Sequence, residues 1–162
     1  MLLLRAGSER YGLGTKCIVE IIHRVELRQS HQVPSTVAGR FNYHGQMVPV
    51  IDLSQLLGGS ASRPALGTRI ILVKLAGSGE RPQLLGLLAE QVTETLEAKQ
   101  LTSVAESIKS TRHSYLEKHL LYQQESIQCL NIDKLFAEMI QQEGLFQPVR
   151  MADLDYKDTI VK

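Results

Sequence analysis

His44 and Asp52 lie in the segment FNYHGQMVPVIDL, residues 41–53, and Ser54 follows directly. A histidine, a carboxylate and a hydroxyl in one stretch are the parts of a hydrolytic triad, with His44 as base, Asp52 orienting it and Ser54 attacking. Glu20 offers a second carboxylate for the same imidazole. Against this, the chain has no G-x-S-x-G elbow to expose a nucleophile. Asp52 also stands two residues before Ser54 of SQLLG, where a carboxylate caps a helical turn. The segment therefore reads first as a β-hairpin with its turn at His44-Gly45-Gln46, and a small hydrolase-type β-barrel enzyme using His44 is the alternative.

Other reactive side chains form no constellation. His23, His31, His113 and His119 fall at spacings that match no metal template, so surface histidines are expected, with no metal and no cofactor. Cys17 and Cys129 are far apart, make no CxxC or CxxH cluster and read as buried free thiols. The glycines of ERYG and GSGERP serve turns, because neither loop opens a helix that could cradle an anion.

Composition narrows the classes further. The 162 residues suit one domain with a real core, and 43% apolar with 22% charged residues is globular composition. A net charge of +1 with scattered basic residues argues against nucleic acid. A single-strand-binding barrel would also want exposed aromatics, and three Phe with no Trp supply few. No run approaches the roughly 18 apolar residues of a membrane span, so no direct membrane insertion is expected. The opening MLLLRAGSERYG has too short an apolar run and no basic leader for a secretory signal, so the expected location is cytoplasmic.

Stepping along the chain, MLLLRAGSERYGLG predicts a hairpin, and KCIVEIIHRVELRQ a possible helical turn followed by a strand in its second half. QVPSTVAGR reads as loop, since Pro34 and Gly39 bracket small polar residues. Pro49 cannot donate to a ladder, which puts MVPVIDL at an edge or a bulge. GGSASRPALG is expected to be a flexible loop. TRIILVKL and QLLGLLAEQVTETL, separated by the turn AGSGERP, begin as continuously apolar strands buried on both faces, with a break near Glu90-Gln91. Leu101, Val104 and Ile108 could seat one helical turn. YLEKHLLY and ESIQCLNI form another strand pair. DKLFAEMIQQEG places Leu135, Phe136, Met139 and Ile140 on one helical face ending at Gly144, with Asp133 as N-cap. The segment after Pro148 is polar and reads as extended or disordered. Nine or ten short strands with one long helix only at the C-terminal end predict an all-β barrel assembly.

Within this pattern, VAGRFNYHGQMVPVIDLSQLLG resembles the signature of CheW-like domains, through Gly39, Asn42, Tyr43, Gly45, Val48, Pro49, Val50, Ile51, Asp52 and Leu53. The likeness extends to GSERYGL with VEII, to TRIILVKL and LLGLLAEQVTETL, and to SIQCLNIDKLF, covering about residues 1 to 140. It implies two packed five-stranded β-barrel subdomains over residues 1–144, followed by a polar tail, 145–162. It also implies a non-catalytic adaptor that joins the cytoplasmic tips of chemoreceptors to the regulatory domain of a CheA-type histidine kinase. Ile18, Glu20, Gly39, Arg40, His44, Val92 and Thr95 would form the receptor- and kinase-binding surface.

His44 stands where the family carries an arginine paired to a glutamate, a position the match gives to Glu20. An imidazole in that pair makes one hydrogen bond in place of a guanidinium fork. For Ile18 and Val92 the alternative is ordinary core burial. Gly39 matches a position where a side chain would block approach, so Gly39→Asp is expected to fold normally and lose receptor binding.

Overall fold

The computed structural model describes residues 1–29, 33–76, 82–104 and 113–143. The polar tail, Gly144, Ile108, His31 and the middle of the AGSGERP turn lie outside the described residues.

Leu2–Ala6 (β1) and Glu9–Leu13 (β2) form the opening hairpin, and a 3-10 turn at Thr15–Cys17 leads into Ile18–His23 (β3). Val37–Tyr43 (β4) and Gln46–Asp52 (β5) are the second hairpin, followed by the single-turn helix Leu53–Leu56 (α1). Arg69–Lys74 (β6), Leu84–Ala89 (β7) and Gln91–Thr95 (β8) come next, with the break falling at Glu90. A 3-10 turn at Ala98–Gln100 and the two-residue strand Thr102–Ser103 (β9) precede the hairpin Leu116–Tyr122 (β10) and Glu125–Leu130 (β11). Ile132–Glu143 (α2) closes the described chain.

The strands make two mixed sheets in the orders β8-β1-β2-β11-β10-β9 and β3-β6-β7-β5-β4, so the counts are six and five. The five-stranded sheet curls until its two edges approach. Arg28, five residues beyond the end of β3, exchanges backbone hydrogen bonds of 2.8 Å in both directions with Arg40 on β4. One bridge thus closes that sheet into a barrel.

Three apolar clusters explain why the central strands carry unbroken apolar runs. Ile70 and Leu72 of β6, with Leu84 and Leu88 of β7, face the interior of the five-stranded barrel beside Phe41, Val48 and Val50. Ile71 and Val73, with Leu85, Leu87 and Ala89, face the opposite way and meet Leu2, Leu4, Tyr11 and Leu13 of the other sheet. Leu3, Leu96 and Ile127 form a small third cluster on the far face of the six-stranded sheet. Alternate side chains of β6 and β7 point to opposite faces, so a strand shared between two cores must be apolar at every position. Each such side chain is worth about 1.5–3 kcal/mol when withdrawn from water.

Helix α2 lays Ile132, Leu135, Phe136 and Met139 into the shared core, while Ile140 stays exposed. Its cap is Asn131, whose Oδ1 accepts Lys134 N at 3.0 Å, and not Asp133. Asp133 sits inside the first turn, where its carboxylate accepts Ala76 N at 3.1 Å and ties the helix to the end of β6.

Three further expectations are corrected. Residues 37–40 are strand and not loop, because Val37 and Phe41 point into cores and the ladder with β5 compensates their backbone. Strand β5 is interior, between β7 and β4. Pro49 is tolerated there because β7 pairs only from Val50 onward, and the β4 ladder is bulged next to it, between Val37 and Gly39. Leu101 and Val104 flank β9; the helical turn lies earlier, at Ala98–Gln100.

Candidate functional site

The β4–β5 hairpin turns on two residues. Tyr43 pairs with Gln46, and His44 and Gly45 between them both have positive φ, 48° and 85°, the left-handed geometry that matches the twist of adjoining strands. Asn42 Oδ1 accepts Gly45 N at 2.7 Å and secures the tip. His44 is therefore exposed, held by its backbone, and its ring meets Tyr43 edge-on with centroids 4.4 Å apart.

Glu20 does not pair with His44. Its Oε2 accepts the Tyr43 hydroxyl at 2.6 Å, and this bond to a carboxylate is the main cause that raises the Tyr43 pKa above the ordinary phenol value. The tyrosine interposes itself because the positive φ at His44 turns that side chain away from the strand, leaving Tyr43 as the last side chain aimed at β3.

Asp52 is 3% exposed and fully occupied. Its Oδ1 accepts Ser54 N at 3.0 Å, Gln55 N at 3.4 Å and Ser62 Oγ at 2.6 Å, and its Oδ2 accepts Ser62 N at 2.7 Å. The expected cap on SQLLG is present, with a second anchor on the loop that returns toward β6. Asp52 and His44 sit at opposite ends of β5, a separation of more than about 20 Å at the rise of a strand. Ser54 is buried, and its Oγ meets no hydrogen-bonding group among the described residues. The triad of His44, Asp52 and Ser54 therefore cannot assemble, and the hydrolase reading that needs it is withdrawn. Among the described residues no group of three His, Cys, Asp or Glu could hold a metal ion.

Ile18 on β3 and Val92 on β8 are half-buried, and both pack against the shared core from its margin. Each lies on an edge strand, one per sheet. Thr95, opposite Leu2 at the end of β8, is exposed. Arg40 is half-buried in the bridge to Arg28.

Gly39 is buried with φ +145°, and a Cβ there would stand 2.8 Å from Arg28 O and 2.8 Å from Leu27 Cβ. A side chain would force the closing bridge apart. The expectation that Gly39→Asp folds normally is thus overturned, since this glycine is a requirement of the barrel itself.

The sequence reading gives Tyr43 as a signature position and not as a site residue. The signal for it was present in the alternation Phe41, Tyr43 before the turn, which places both rings on the barrel side of β4. Cys17 is half-buried, with its thiol donating to Gly14 O at 3.0 Å, and Cys129 is buried. Burial pushes both thiols up from their ordinary pKa. That suits packing and not reaction.

Comparison with known proteins agrees with this architecture. A family model described as CheW-like domain matches residues 1–139. Over 94 residues the chain is 28% identical to the chemotaxis protein CheW of Helicobacter pylori strain 26695, a match that takes in 58% of this chain and 54% of that protein. The chain thus spans about half the length of that curated relative. The crystal structure of the scaffolding protein TtCheW from Thermoanaerobacter tengcongensis superposes with a TM-score of 0.69 at 22% identity, covering 83% of this chain and 90% of that one. At that identity the likeness concerns the fold.

Proposed function

The chain belongs to the CheW-like domain family, and from that premise we propose that it is a non-catalytic adaptor coupling chemoreceptors to a CheA-type histidine kinase. One observation carries the proposal beyond the fold: Ile18 and Val92, on edge strands of different sheets, pack against the same apolar core and leave part of their surface uncovered. Partly uncovered apolar side chains at sheet edges suit an apolar helix face from a receptor tip. Glu20, Gly39, Arg40 and His44 belong to the five-stranded sheet and its hairpin, and Thr95 to the edge strand of the other sheet.

The mechanism is positioning. An adaptor that touches receptor and kinase together transmits a small receptor movement only through contacts that differ between two kinase states. Its working place is the cytoplasm, at arrays of membrane receptors.

The test is a pull-down of the tagged protein from its own cells at about pH 6 and pH 8, with identification of everything retained. A histidine kinase and a receptor in the eluate are the expected result. Absence of both at either pH would reduce the family membership to a shared fold.

A further inference from the structure

The ladder between β4 and β5 runs from Val37–Ile51 to Tyr43–Gln46, but the strands on either side of this hairpin reach only its inner half. β7 pairs with β5 at Val50, Ile51 and Asp52, because Pro49 has no N–H with which to carry that ladder on toward Leu84. On the other edge, Arg40 is the last residue of β4 with a backbone partner across the seam, bonded in both directions to Arg28 at 2.8 Å. Arg40 and Pro49 face each other in the hairpin ladder. Beyond that pair, among the described residues, 41–48 exchange backbone hydrogen bonds only with one another.

This outer half is one stiff piece. Phe41, Asn42 and Tyr43 pair with Val48, Met47 and Gln46, and Asn42 Oδ1 accepts Gly45 N at 2.7 Å at the tip. Side chains alone seat it on the barrel. Phe41 and Val48 enter the interior cluster. At each margin one hydrogen bond reaches across, the Tyr43 hydroxyl donating to Glu20 Oε2 at 2.6 Å and Gln46 Nε2 donating to Pro82 O at 3.3 Å. Glu20, Gln46 and Pro82 are exposed, so water competes for both bonds.

We propose that residues 41–48 are a flap that opens about the Arg40–Pro49 pair while the rest of the barrel stays closed, with Tyr43–Glu20 and Gln46–Pro82 as its two latches. Opening lifts Phe41 and Val48 out of the core, which makes the open form a minor one. The latches set how minor. The flap carries His44, and β3 across the seam carries Ile18 and Glu20. One consequence rests on the adaptor reading above: a partner that grips the flap and β3 together holds the flap shut, so by linkage a loosened latch weakens that partner's binding.

The test is native-state hydrogen exchange on the free full chain, read at single amides, which needs no partner. A two-stranded ribbon lifted off its core is marginal, so the amides of the flap exchange when it opens. The protected amides of residues 41–48 should exchange as one group, at least about 10-fold faster than those of Arg28, Arg40 and residues 70–72. Tyr43→Phe keeps the ring and its packing and removes only the hydroxyl. It should speed the flap group by roughly 3- to 10-fold and leave the other amides within about twofold. Glu20→Ala should do the same, and the double variant should exchange no faster than either single one. Flap amides that exchange at the rate of Arg28 and Arg40 would show that the barrel opens only as a whole and overturn the flap. Unchanged exchange in Tyr43→Phe, or an equal acceleration in every strand, would overturn the latch. Each of these outcomes leaves the adaptor reading standing, because no partner enters the measurement.

Discussion

Asp52 and Ser62 are joined twice, Ser62 N donating to Oδ2 at 2.7 Å and Ser62 Oγ to Oδ1 at 2.6 Å, while the same carboxylate caps α1. One buried side chain thereby fixes the start and the middle of the excursion from β5 toward β6. It does so by supplying acceptors to three backbone donors and one hydroxyl, of which the Ser54 and Ser62 donors are buried.

Replacing Asp52 by Ala should therefore destabilise the fold by about 2–4 kcal/mol, more than a helix cap alone, because buried donors are stranded. Asp52→Asn, which keeps one acceptor oxygen, should cost less. Urea denaturation of both variants checks the order, and equal small losses would show that the loop is held by other contacts.

Gly39→Ala should cost at least about 2 kcal/mol, from positive-φ strain and from contact with Arg28 O. Gly39→Asp should cost more, and its loss of any binding would then follow from unfolding. Thermal denaturation of Gly39→Ala provides the measurement, and a melting temperature equal to the native one would mean that the bridge can shift at no cost.

The β10–β11 hairpin turns on Gln123 and Gln124 at φ 49° and 66°, where a non-glycine side chain is strained. Gln124→Gly should stabilise the protein by about 0.5–1 kcal/mol, since the turn geometry is the one glycine prefers. The midpoint in guanidinium reports it, and a lower midpoint would indicate that the Gln side chain contributes contacts worth more than the strain.

Glu117 accepts Lys134 Nζ at 2.9 Å and Asn131 Nδ2 at 2.8 Å, joining β10 to the start of α2. The bond from Lys134, then that from Asn131, lowers its pKa below the usual carboxylate value. A folded pKa below the unfolded one means stability that is present above the unfolded pKa, near 4.3, and lost as pH falls through the folded value. Because the pair is largely exposed, Glu117→Gln should cost under about 1 kcal/mol at neutral pH. The difference from the native chain should shrink below about pH 4 and vanish at lower pH, as paired denaturation curves would reveal.

Much of this was legible in the residues. Turn chemistry gave the hairpin at His44-Gly45, the unbroken apolar runs of β6 and β7 announced strands with a core on each side, and the position of Asp52 before SQLLG predicted its cap. The helical period of Leu135, Phe136 and Met139 identified the buried face of α2. Each of these rests on interactions a few residues long or on a periodicity that one strand or helix imposes on its own sequence. Together with the signature from Gly39 to Leu53, they determined the family.

What closes the structure lay beyond such signals. Ser62 as second anchor of Asp52, Arg28 as partner of Arg40, and Glu20 as acceptor for Tyr43 are contacts over 10, 12 and 23 residues. Gly39 looked like an open surface position, and only the curl of the sheet brings Arg28 O against it. The residues read Asp133 as the cap of α2, and the path of the chain out of β11 gives that place to Asn131. Local pattern fixes which segments are strands and which faces are apolar. Which edges meet depends on how far two sheets must bend to cover a common core, and that bend is a property of all the strands at once.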